Sequence, residues 1–419
     1  MSRERLNLLF VSMFPPSPAT FGAQRRIEGL MKALSRRHHV TGLSLISPEY
    51  DAREAERAMR SYCEDVVLVP SRSAHGLSRR MVQLRSLVSR ASFEHLFNLV
   101  PALQPAIDDL LLRRPYDAIS LHSYYVADCR FRQAPPGAPV PRLTVDEHNI
   151  EHDLRRQSRD ASRGLVRRLF HSVNWGKALR EGVGAWRGCD GVTFTSADDE
   201  ARARALLPSI RSAVIPNAAD LEYFRPRPDL PPSDARTALF FGTLNYFPNE
   251  DGVRHLLQDI WPLLERSHPR ARLKVIGADP TPEVLSHRGP RVEVAGLVDD
   301  LRPHLSEAAV TVVPLRVGGG TRFKILEAMA MGKPVVSTTI GAEGIVATPG
   351  RDILLADDPG AFAAAVGRVL DDPDLARRLG AAGRALVEKH YSWTAVAGDL
   401  ERFFRDLIDE PRPACAEPA

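Results

Sequence analysis

The feature that most limits how this chain can fold is a repeated alternation of short apolar runs with longer amphipathic stretches. Short β-branched runs are typical of buried parallel strands, and the amphipathic stretches between them are typical of helices that cover a sheet. In the N-terminal half the alternation predicts a helix at 24–34 and strands at 6–14, 40–46, 65–69, 118–122, 143–146, 191–195 and 212–215. In the C-terminal half it predicts strands at 237–241, 273–276, 292–295, 310–314, 334–337 and 353–356. The fold class is therefore α/β, with parallel, doubly wound sheets.

A proline-rich and acidic stretch at 225–235 interrupts the alternation and is typical of a linker. A chain of 419 residues is also too long for a single core. We therefore expect two Rossmann-like domains, 1–224 and 236–388, and a disordered end at 411–419. Two such domains in tandem are expected to turn the carboxyl ends of their strands toward a shared cleft, where open α/β sheets bind ligands.

The segment from Pro314 to Val336 shows the pattern of strand, glycine loop, helix and strand. Gly318, Gly319 and Gly320 allow a ligand to approach the backbone, and the helix expected from 323 to 331 directs free N–H groups at an anion. Arg322 and Lys324 lie at the start of that helix, where cations oppose the helix dipole unless an anionic ligand offsets them. Glu327 can accept two hydroxyl hydrogen bonds, which suits a sugar ring. The alternative is a glycine loop that serves only the chain topology, followed by a helix with a surface charge pattern.

Composition excludes several classes of protein. A net charge of +4 does not require a nucleic-acid partner. The four cysteines have no metal-ligand spacing and fit a reducing cytoplasm. No run of about twenty apolar residues predicts a membrane span, and 6–14 is better explained as a first core strand than as a signal peptide. Neither half has a G-x-G-x-x-G after its first strand, which disfavours a nicotinamide or flavin enzyme.

Several spaced motifs in this order resemble one family. In the C-terminal half they are 240–252, 275–280, 294–301 and 314–344, with 391–393 at the start of the last helix, and in the N-terminal half they are 22–26, 117–122, 146–151 and 215–220. The chain resembles a family-4 (group 1) glycosyltransferase of the GT-B fold over nearly its whole length. The resemblance implies a helix at 389–410 that crosses back to the N-terminal domain, an N-terminal domain that binds the acceptor, and a C-terminal domain that binds the nucleotide sugar.

The resemblance also implies a reaction and its residues. Family members are hexosyltransferases that move a sugar from a nucleoside diphosphate sugar to a hydroxyl, usually with retention and without a metal or other cofactor. The residues expected near the reacting atoms are His122, Arg322 and Lys324, with the two cations meeting the diphosphate charge. The residues expected to bind the donor are Gly242, Leu297, Val298, Gly318, Gly319, Gly320, Thr321 and Glu327. A loop for the acceptor or a phosphate is expected from Gly22, Arg26, His148 and Glu151.

Structural explanations stand beside several of these assignments. A strand histidine such as His122 or His148 can be purely structural, Glu151 can simply start the next helix, and Arg26 can cover the domain surface. No strand-flanked Asp-x-Asp pair is present to bind a metal, because 372–374 is expected to be a loop between helices.

The chain departs from the family pattern at two places. Many members carry two glutamates seven residues apart, and the first would fall at Gly319. The basic residues usual after the first strand of the C-terminal domain are also absent around Asn245 to Asn249, and we expect Arg322 and Lys324 to supply that charge. Two alternatives therefore stay open: a sugar-nucleotide epimerase, and a non-catalytic donor-binding partner in a polysaccharide assembly complex.

The stretch 154–180 interleaves basic and apolar residues. Such a helix can lie on an anionic membrane, which would suit a lipid-linked acceptor and a peripheral location on the cytoplasmic face. An ordinary solvated helix face explains the same pattern. The basic residues are Arg155, Arg156, Arg159, Arg163, Arg167, Arg168 and Lys177.

Overall fold

The structure, a computed structural model, describes residues 4–73, 76–161 and 164–411. The chain forms two compact units: one contains the residues up to Ile215 together with those from Val396 onward, and the other is Pro216–Ala395. The division falls after Ile215, ahead of the stretch predicted to be a linker. Most of the tail predicted to be disordered lies outside the described residues. Among those that are described, no helix is both long enough and apolar enough to cross a membrane.

The first unit is built on a sheet of seven parallel strands in the order β3-β2-β1-β4-β5-β6-β7. Its strands are β1 (Asn7–Ser12), β2 (His39–Ile46), β3 (Asp65–Pro70), β4 (Ala118–His122), β5 (Arg142–Glu147), β6 (Gly191–Phe194) and β7 (Ser212–Val214). Its helices are α1 (Gly22–Ser35), α2 (Ala52–Arg60), α3 (Gly76–Val88), α4 (Phe93–Asn98), α5 (Leu103–Arg113), α6 (Glu151–Ala161), α7 (Leu165–Gly188) and α8 (Ala197–Leu206), with a 3-10 turn at Tyr124–Val126. Every residue of β4 is buried, as expected for a central parallel strand covered on both faces.

The second unit is built on six parallel strands in the order β10-β9-β8-β11-β12-β13. They are β8 (Asp234–Phe241), β9 (Arg272–Ile276), β10 (Val292–Gly296), β11 (Ala308–Val313), β12 (Val335–Ser337) and β13 (Leu354–Leu355). The helices are α9 (Phe247–His255), which continues into a π-helical turn (Leu256–Ile260), then α10 (Trp261–Ser267), α11 (Pro282–Ser286), α12 (Arg302–Glu307), α13 (Phe323–Ala330), α14 (Pro359–Asp371), α15 (Pro373–His390) and α16 (Trp393–Asp409). From Val396 onward α16 belongs to the first unit.

Both sheets have a topological switch point, where strand order reverses and open α/β sheets bind ligands. In the first sheet this point lies between β1 and β4, and the strand register pairs Ser12 with His122 and His122 with Asp146. In the second sheet it lies between β8 and β11. Gly242 follows β8 directly, and the glycine loop follows β11, so both belong to the ligand-binding edge of that sheet.

The predicted α/β, doubly wound architecture is confirmed. Each predicted strand is present, and its ends differ from the prediction by at most three residues. The helix predicted at 24–34 is α1, and the helix predicted at 323–331 is α13.

Candidate functional site

The glycine loop of the second unit is held in shape by Arg322. This residue is the N-cap of α13, and its guanidinium donates hydrogen bonds to the carbonyls of Gly319, of Gly320 at 2.9 Å and of Ile340 at 3.3 Å. A Cβ on Gly318 would lie 2.9 Å from Arg322 Nη2, and the φ of Gly318 is +130°, so a side chain here would be strained and would collide. Arg322 thus braces the loop from within, a role that the sequence pattern did not indicate.

Lys324 lies in the first turn of α13 and is buried. Its ammonium donates to Asn249 Oδ1 at 2.7 Å and lies 4.2 Å from the centre of the Phe240 ring. A Cβ on Gly242 would come within 2.9 Å of Lys324 Nζ, and Gly242 has a φ of +149°. Gly242 therefore leaves a space at the strand end that Lys324 faces directly.

The surroundings of Lys324 favour its neutral form. Burial lowers the pKa of Lys324 to about 7, with Arg322 acting in the same direction and Glu327 opposing it. Lys324 donates its hydrogen bond to the neutral amide of Asn249, and a buried ammonium that is hydrogen-bonded to a neutral group pays a desolvation cost. A bound anion would favour the charged form.

The other predicted donor residues occupy distinct surroundings in the same unit. Glu327 and Thr321 are buried, at 3% and 4% exposure. The Thr321 carbonyl accepts a hydrogen bond from Asn217 Nδ2 at 2.8 Å. Leu297 is 80% exposed, whereas Val298 packs against the core, so a ligand can contact this segment without displacing the core.

In the first unit, Arg26 is fully buried and forms an ion pair with Asp146. Its Nε donates to Asp146 Oδ2 at 2.8 Å, and its Nη2 donates to Oδ1 at 2.7 Å. The Thr193 hydroxyl donates to the same Oδ1 at 2.5 Å. Arg26 therefore does not cover the domain surface: its exposed fraction is 1%.

His122 is placed on the other side of the Asp146 carboxylate. Its Nδ1 lies 3.1 Å from Asp146 Oδ2, and its ring stacks on Phe10 at 5.3 Å. Burial lowers the pKa of His122 to about 4, although Asp146 opposes this. Burial by itself raises the pKa of Asp146, but the Arg26 ion pair and the histidine hydrogen bonds hold it well below 3.8. We therefore assign the proton of neutral His122 to Nδ1, facing the carboxylate.

This tautomer leaves His122 Nε2 as a hydrogen-bond acceptor. Nε2 is buried and has no hydrogen-bond partner among the described residues. A buried acceptor without a partner is costly, and a ligand hydroxyl would satisfy it.

His148 completes a triangle of polar atoms. Its Nε2 lies 3.2 Å from Asp146 Oδ2 and 3.1 Å from His122 Nδ1, and among the described residues these three side chains are the group with metal-ligand spacing. The guanidinium of Arg26 engages both oxygens of Asp146, and a fixed positive charge at that position opposes a metal cation. The arrangement fits a hydrogen-bonded network better than a metal centre.

The neighbouring acidic side chains are also enclosed. Burial raises the pKa of Glu147 to about 8, although the indole N–H of Trp186 donates to it at 2.8 Å. Burial raises the pKa of Glu151, which starts α6, and Arg155 opposes that shift. Gly22 is the first residue of α1.

Three residues of these sites were not identified from the sequence. Asp146 lies in the motif 146–151, which predicts no role for it, and Asn249 takes the place of a basic residue usual in the family. Phe240 lies in a predicted strand and in the motif 240–252, which assign it no contact with the site. An aspartate at the end of an apolar strand, directly after the strand that ends in His122, is the sequence signal that could have identified Asp146.

Comparison with known proteins finds a family match within the second unit. Residues 235–372 match the model for glycosyl transferases group 1. The match covers about a third of the chain. The predicted resemblance to this family is confirmed, and the glycine loop, Lys324 and Glu327 all lie inside the matched domain.

Two curated relatives extend the similarity of this glycosyltransferase domain. A D-inositol 3-phosphate glycosyltransferase of Corynebacterium urealyticum is 30% identical over 49% of the chain and 54% of that protein, so the chain spans about half of that relative. A GDP-mannose-dependent alpha-(1-6)-phosphatidylinositol monomannoside mannosyltransferase of Mycobacterium tuberculosis is 28% identical over 58% of the chain and 70% of that protein.

A solved structure supports the fold over both units. Sucrose-phosphate synthase from Thermosynechococcus elongatus superposes with a TM-score of 0.71 at 19% identity, covering 96% of this chain and 99% of that one. The fold is GT-B, as predicted.

Proposed function

We propose that this protein is a glycosyltransferase that moves a sugar from a nucleoside diphosphate sugar to an acceptor hydroxyl. The observation that carries the proposal is a buried lysine beside a glycine loop, at the switch point of the matched domain. Lys324, Gly242 and Gly318 to Gly320 meet there, and Glu327 lies one turn further along α13. An anion with an attached sugar fits this combination of groups.

In this proposal the protein's own positive and N–H groups stabilise the negative charge of the leaving diphosphate. Lys324 and the loop amides stabilise the negative charge that grows on the leaving group, and transfer proceeds with retention and without a metal. Arg322 acts mainly by holding the loop carbonyls, so its contribution to the diphosphate is indirect. Glu327 accepts hydrogen bonds from the ribose, and the 297–298 backbone contacts the base.

The proposal gives His122 a separate task. As a neutral acceptor fixed by Asp146, its Nε2 recognises a sugar hydroxyl rather than a phosphate, because it has no proton to donate there. His148 belongs to the same network; Gly22 and Glu151 begin α1 and α6, the helices that follow β1 and β5, and we assign them to the loop for the acceptor or a phosphate.

The relatives guide the choice of donor and acceptor. One relative is named as GDP-mannose-dependent and acts on a phosphatidylinositol mannoside, and another is named for inositol 3-phosphate. We propose a guanosine diphosphate hexose as the first donor to test, with a polyol or lipid-linked saccharide as acceptor, in biosynthesis of a cell-surface polysaccharide or glycoconjugate.

The test is release of nucleoside diphosphate from a panel of guanosine and uridine diphosphate sugars, with and without candidate acceptors. Acceptor-dependent release supports transfer. Formation of an epimeric nucleotide sugar would instead indicate an epimerase, and tight binding without turnover would indicate a non-catalytic partner. Absence of any nucleotide binding would remove the proposal.

Glu327→Gln is expected to raise KM for the donor about 10- to 100-fold with little change in kcat. The reason is that a ribose contact stabilises ground state and transition state alike, and hydrogen bonds to a charged acceptor are each worth about 1.5–3 kcal/mol. Steady-state kinetics measure this. The matched control is Glu388→Gln, an exposed carboxylate of the same unit that pairs with Arg384. A fall in kcat with unchanged KM would contradict the ribose assignment.

Donor affinity is expected to weaken as pH rises above about 7. Below that pH Lys324 is already charged. Above it Lys324 is neutral and must take up a proton from solvent to bind an anionic donor, so donor binding is coupled to proton uptake. Calorimetric titration in two buffers with different ionisation heats measures the uptake, and Lys324→Met is expected to abolish it. Donor binding without proton uptake above pH 7 would contradict a neutral Lys324.

A further inference from the structure

Two neighbouring helices of the first unit expose an unusual amount of apolar surface. Fifteen large apolar side chains are exposed in the described part of the chain, and six of them lie on α3 and the first turns of α7. Their exposed fractions are 64% for Met81, 67% for Leu84, 42% for Leu87, 89% for Val88, 86% for Leu165 and 64% for Leu169. We call these six residues, together with the exposed Arg80, Arg85 and Arg168 of the same two helices, the two-helix surface. Scattered single apolar residues need no explanation, but a cluster does.

The spacing of these residues follows one face of each helix. On α3, Met81, Leu84 and Val88 are separated by three and four positions, while Ser86 on the other side is buried. On α7, Leu165 and Leu169 are four positions apart. Helical spacing of this kind places the exposed side chains on the same face of each helix.

Hydrogen bonds fix α3 and its following loop against α7. Lys177 and Arg180 of α7 donate to the carbonyls of Ser86 and Arg90. Asn174 Oδ1 accepts from the Phe93 amide at 2.9 Å, and Glu181 accepts from the Ser92 amide at 2.6 Å. The C-terminal end of α3 and the loop after it therefore pack against the middle of α7.

Charge distinguishes this surface from the rest of the chain. Together α3 and α7 contain eight arginines and lysines and a single acidic residue, Glu181. The whole chain has a net charge of only +4, so the remainder is net negative. Arg80, Arg85 and Arg168 are exposed beside the apolar side chains. A positive rim around apolar side chains is complementary to anionic headgroups above acyl chains.

The two-helix surface overlaps only part of the stretch 154–180 that the sequence pattern singled out. In α6, Arg155 pairs with Glu94, Arg156 pairs with Asp153 at 3.1 Å, and the Arg159 guanidinium lies 5.1 Å from the centre of the Trp175 ring. Arg163, and the side chains of Leu154, Val166 and Arg167, lie outside the described residues. The α6 cations are thus engaged within the unit, whereas α3, which the sequence pattern did not single out, supplies half of the surface.

We propose that the two-helix surface docks on an anionic lipid bilayer, with the apolar side chains of α3 and α7 in the headgroup region. The arginines contact lipid phosphates, and the leucines, Met81 and Val88 enter the acyl boundary. The surface belongs to the first unit, so docking does not depend on donor binding by the second.

Vesicle flotation of the full chain tests this proposal. We expect the protein to float with vesicles of phosphatidylcholine and phosphatidylglycerol, and not with phosphatidylcholine alone. The triple variant Leu84→Ser, Val88→Ser, Leu165→Ser is expected to lower binding at least tenfold. Arg80→Ser and Arg85→Ser are expected to lower it about fivefold each, and added salt should mimic their effect.

The matched control combines Leu112→Ser of the first unit and Val346→Ser of the second, which are exposed apolar residues outside α3 and α7. It should float like the unchanged protein, and circular dichroism should show that all variants fold. No flotation with anionic vesicles, or equal flotation of the triple variant, would overturn the proposal. So would a dimer that the triple variant converts to a monomer, because a second copy would then be the occupant.

Discussion

Replacing Lys324 with methionine is expected to lower kcat/KM for the nucleotide sugar by about 10²- to 10³-fold. Removing one preorganised donor from a developing negative charge typically costs this much in rate. Methionine fills a similar volume against Phe240, and the buried site loses a polar group whose partner is a neutral amide. The fold should therefore survive, with the thermal midpoint close to that of the unchanged protein. Kinetics with a saturating acceptor measure the loss.

The matched control for Lys324→Met is Arg351→Met, an exposed cation of the same unit that pairs with Asp352. It removes the same charge far from the glycine loop in sequence and should leave the kinetics unchanged. A second comparison is Gly242→Ala, whose new methyl group would press on Lys324 Nζ and Asn249. If Lys324→Met kept full turnover and full donor affinity, other residues would have to stabilise the negative charge of the diphosphate.

Replacing Arg26 with methionine is expected to lower the free energy of unfolding of the first unit by about 3–5 kcal/mol. The change leaves the Asp146 carboxylate buried without its cation, and breaking a buried pair typically costs this much. The double variant Arg26→Met, Asp146→Asn should recover a large part of the loss, because neither charge then remains. Urea unfolding measures both. The control is Arg60→Met, which breaks an exposed pair with Glu56 and should cost less than about 1 kcal/mol.

The same pair predicts how stability depends on pH. The pKa of Asp146 is held well below 3.8 in the folded protein, so its stabilising contribution is complete above about pH 4 and is lost as pH falls through the folded value. Asp146→Asn should remove this part of the acid sensitivity. An Arg26→Met variant as stable as the unchanged protein, with the same acid sensitivity, would show that the pair contributes little.

The strands could be predicted almost completely because local patterns specify them. Central strands of a parallel sheet are buried on both faces, so β4 and β11 appear in the sequence as continuous apolar runs between turn residues. The ends of weaker elements were less certain: β8 begins three residues before its predicted start, within the stretch read as a linker. Terminal residues of a strand carry little of the burial that the pattern records.

The glycine loop, Lys324 and Glu327 could also be selected from the sequence, because strand, glycines and helix are contiguous there. The groups that the Arg322 and Lys324 side chains contact could not be predicted from the sequence. Both looked like phosphate ligands, yet Arg322 turns back onto the loop carbonyls while Lys324 packs on Phe240 and Asn249. The direction of Lys324 depends on Phe240 of β8 and Asn249 of α9, which precede it by more than seventy residues.

By itself the sequence determined the order of strands and helices and the position of the glycine loop, since each of these follows from patterns within a short stretch of chain, and its spaced motifs implied the GT-B architecture through their resemblance to a known family. Only the tertiary structure decided that Arg26 meets Asp146, 120 positions away, that His122 is held as a neutral acceptor, and that α3 packs against α7. The physical reason is that burial and charge pairing depend on which distant segments the sheet brings together. A short window of sequence shows the side chains but not their neighbours.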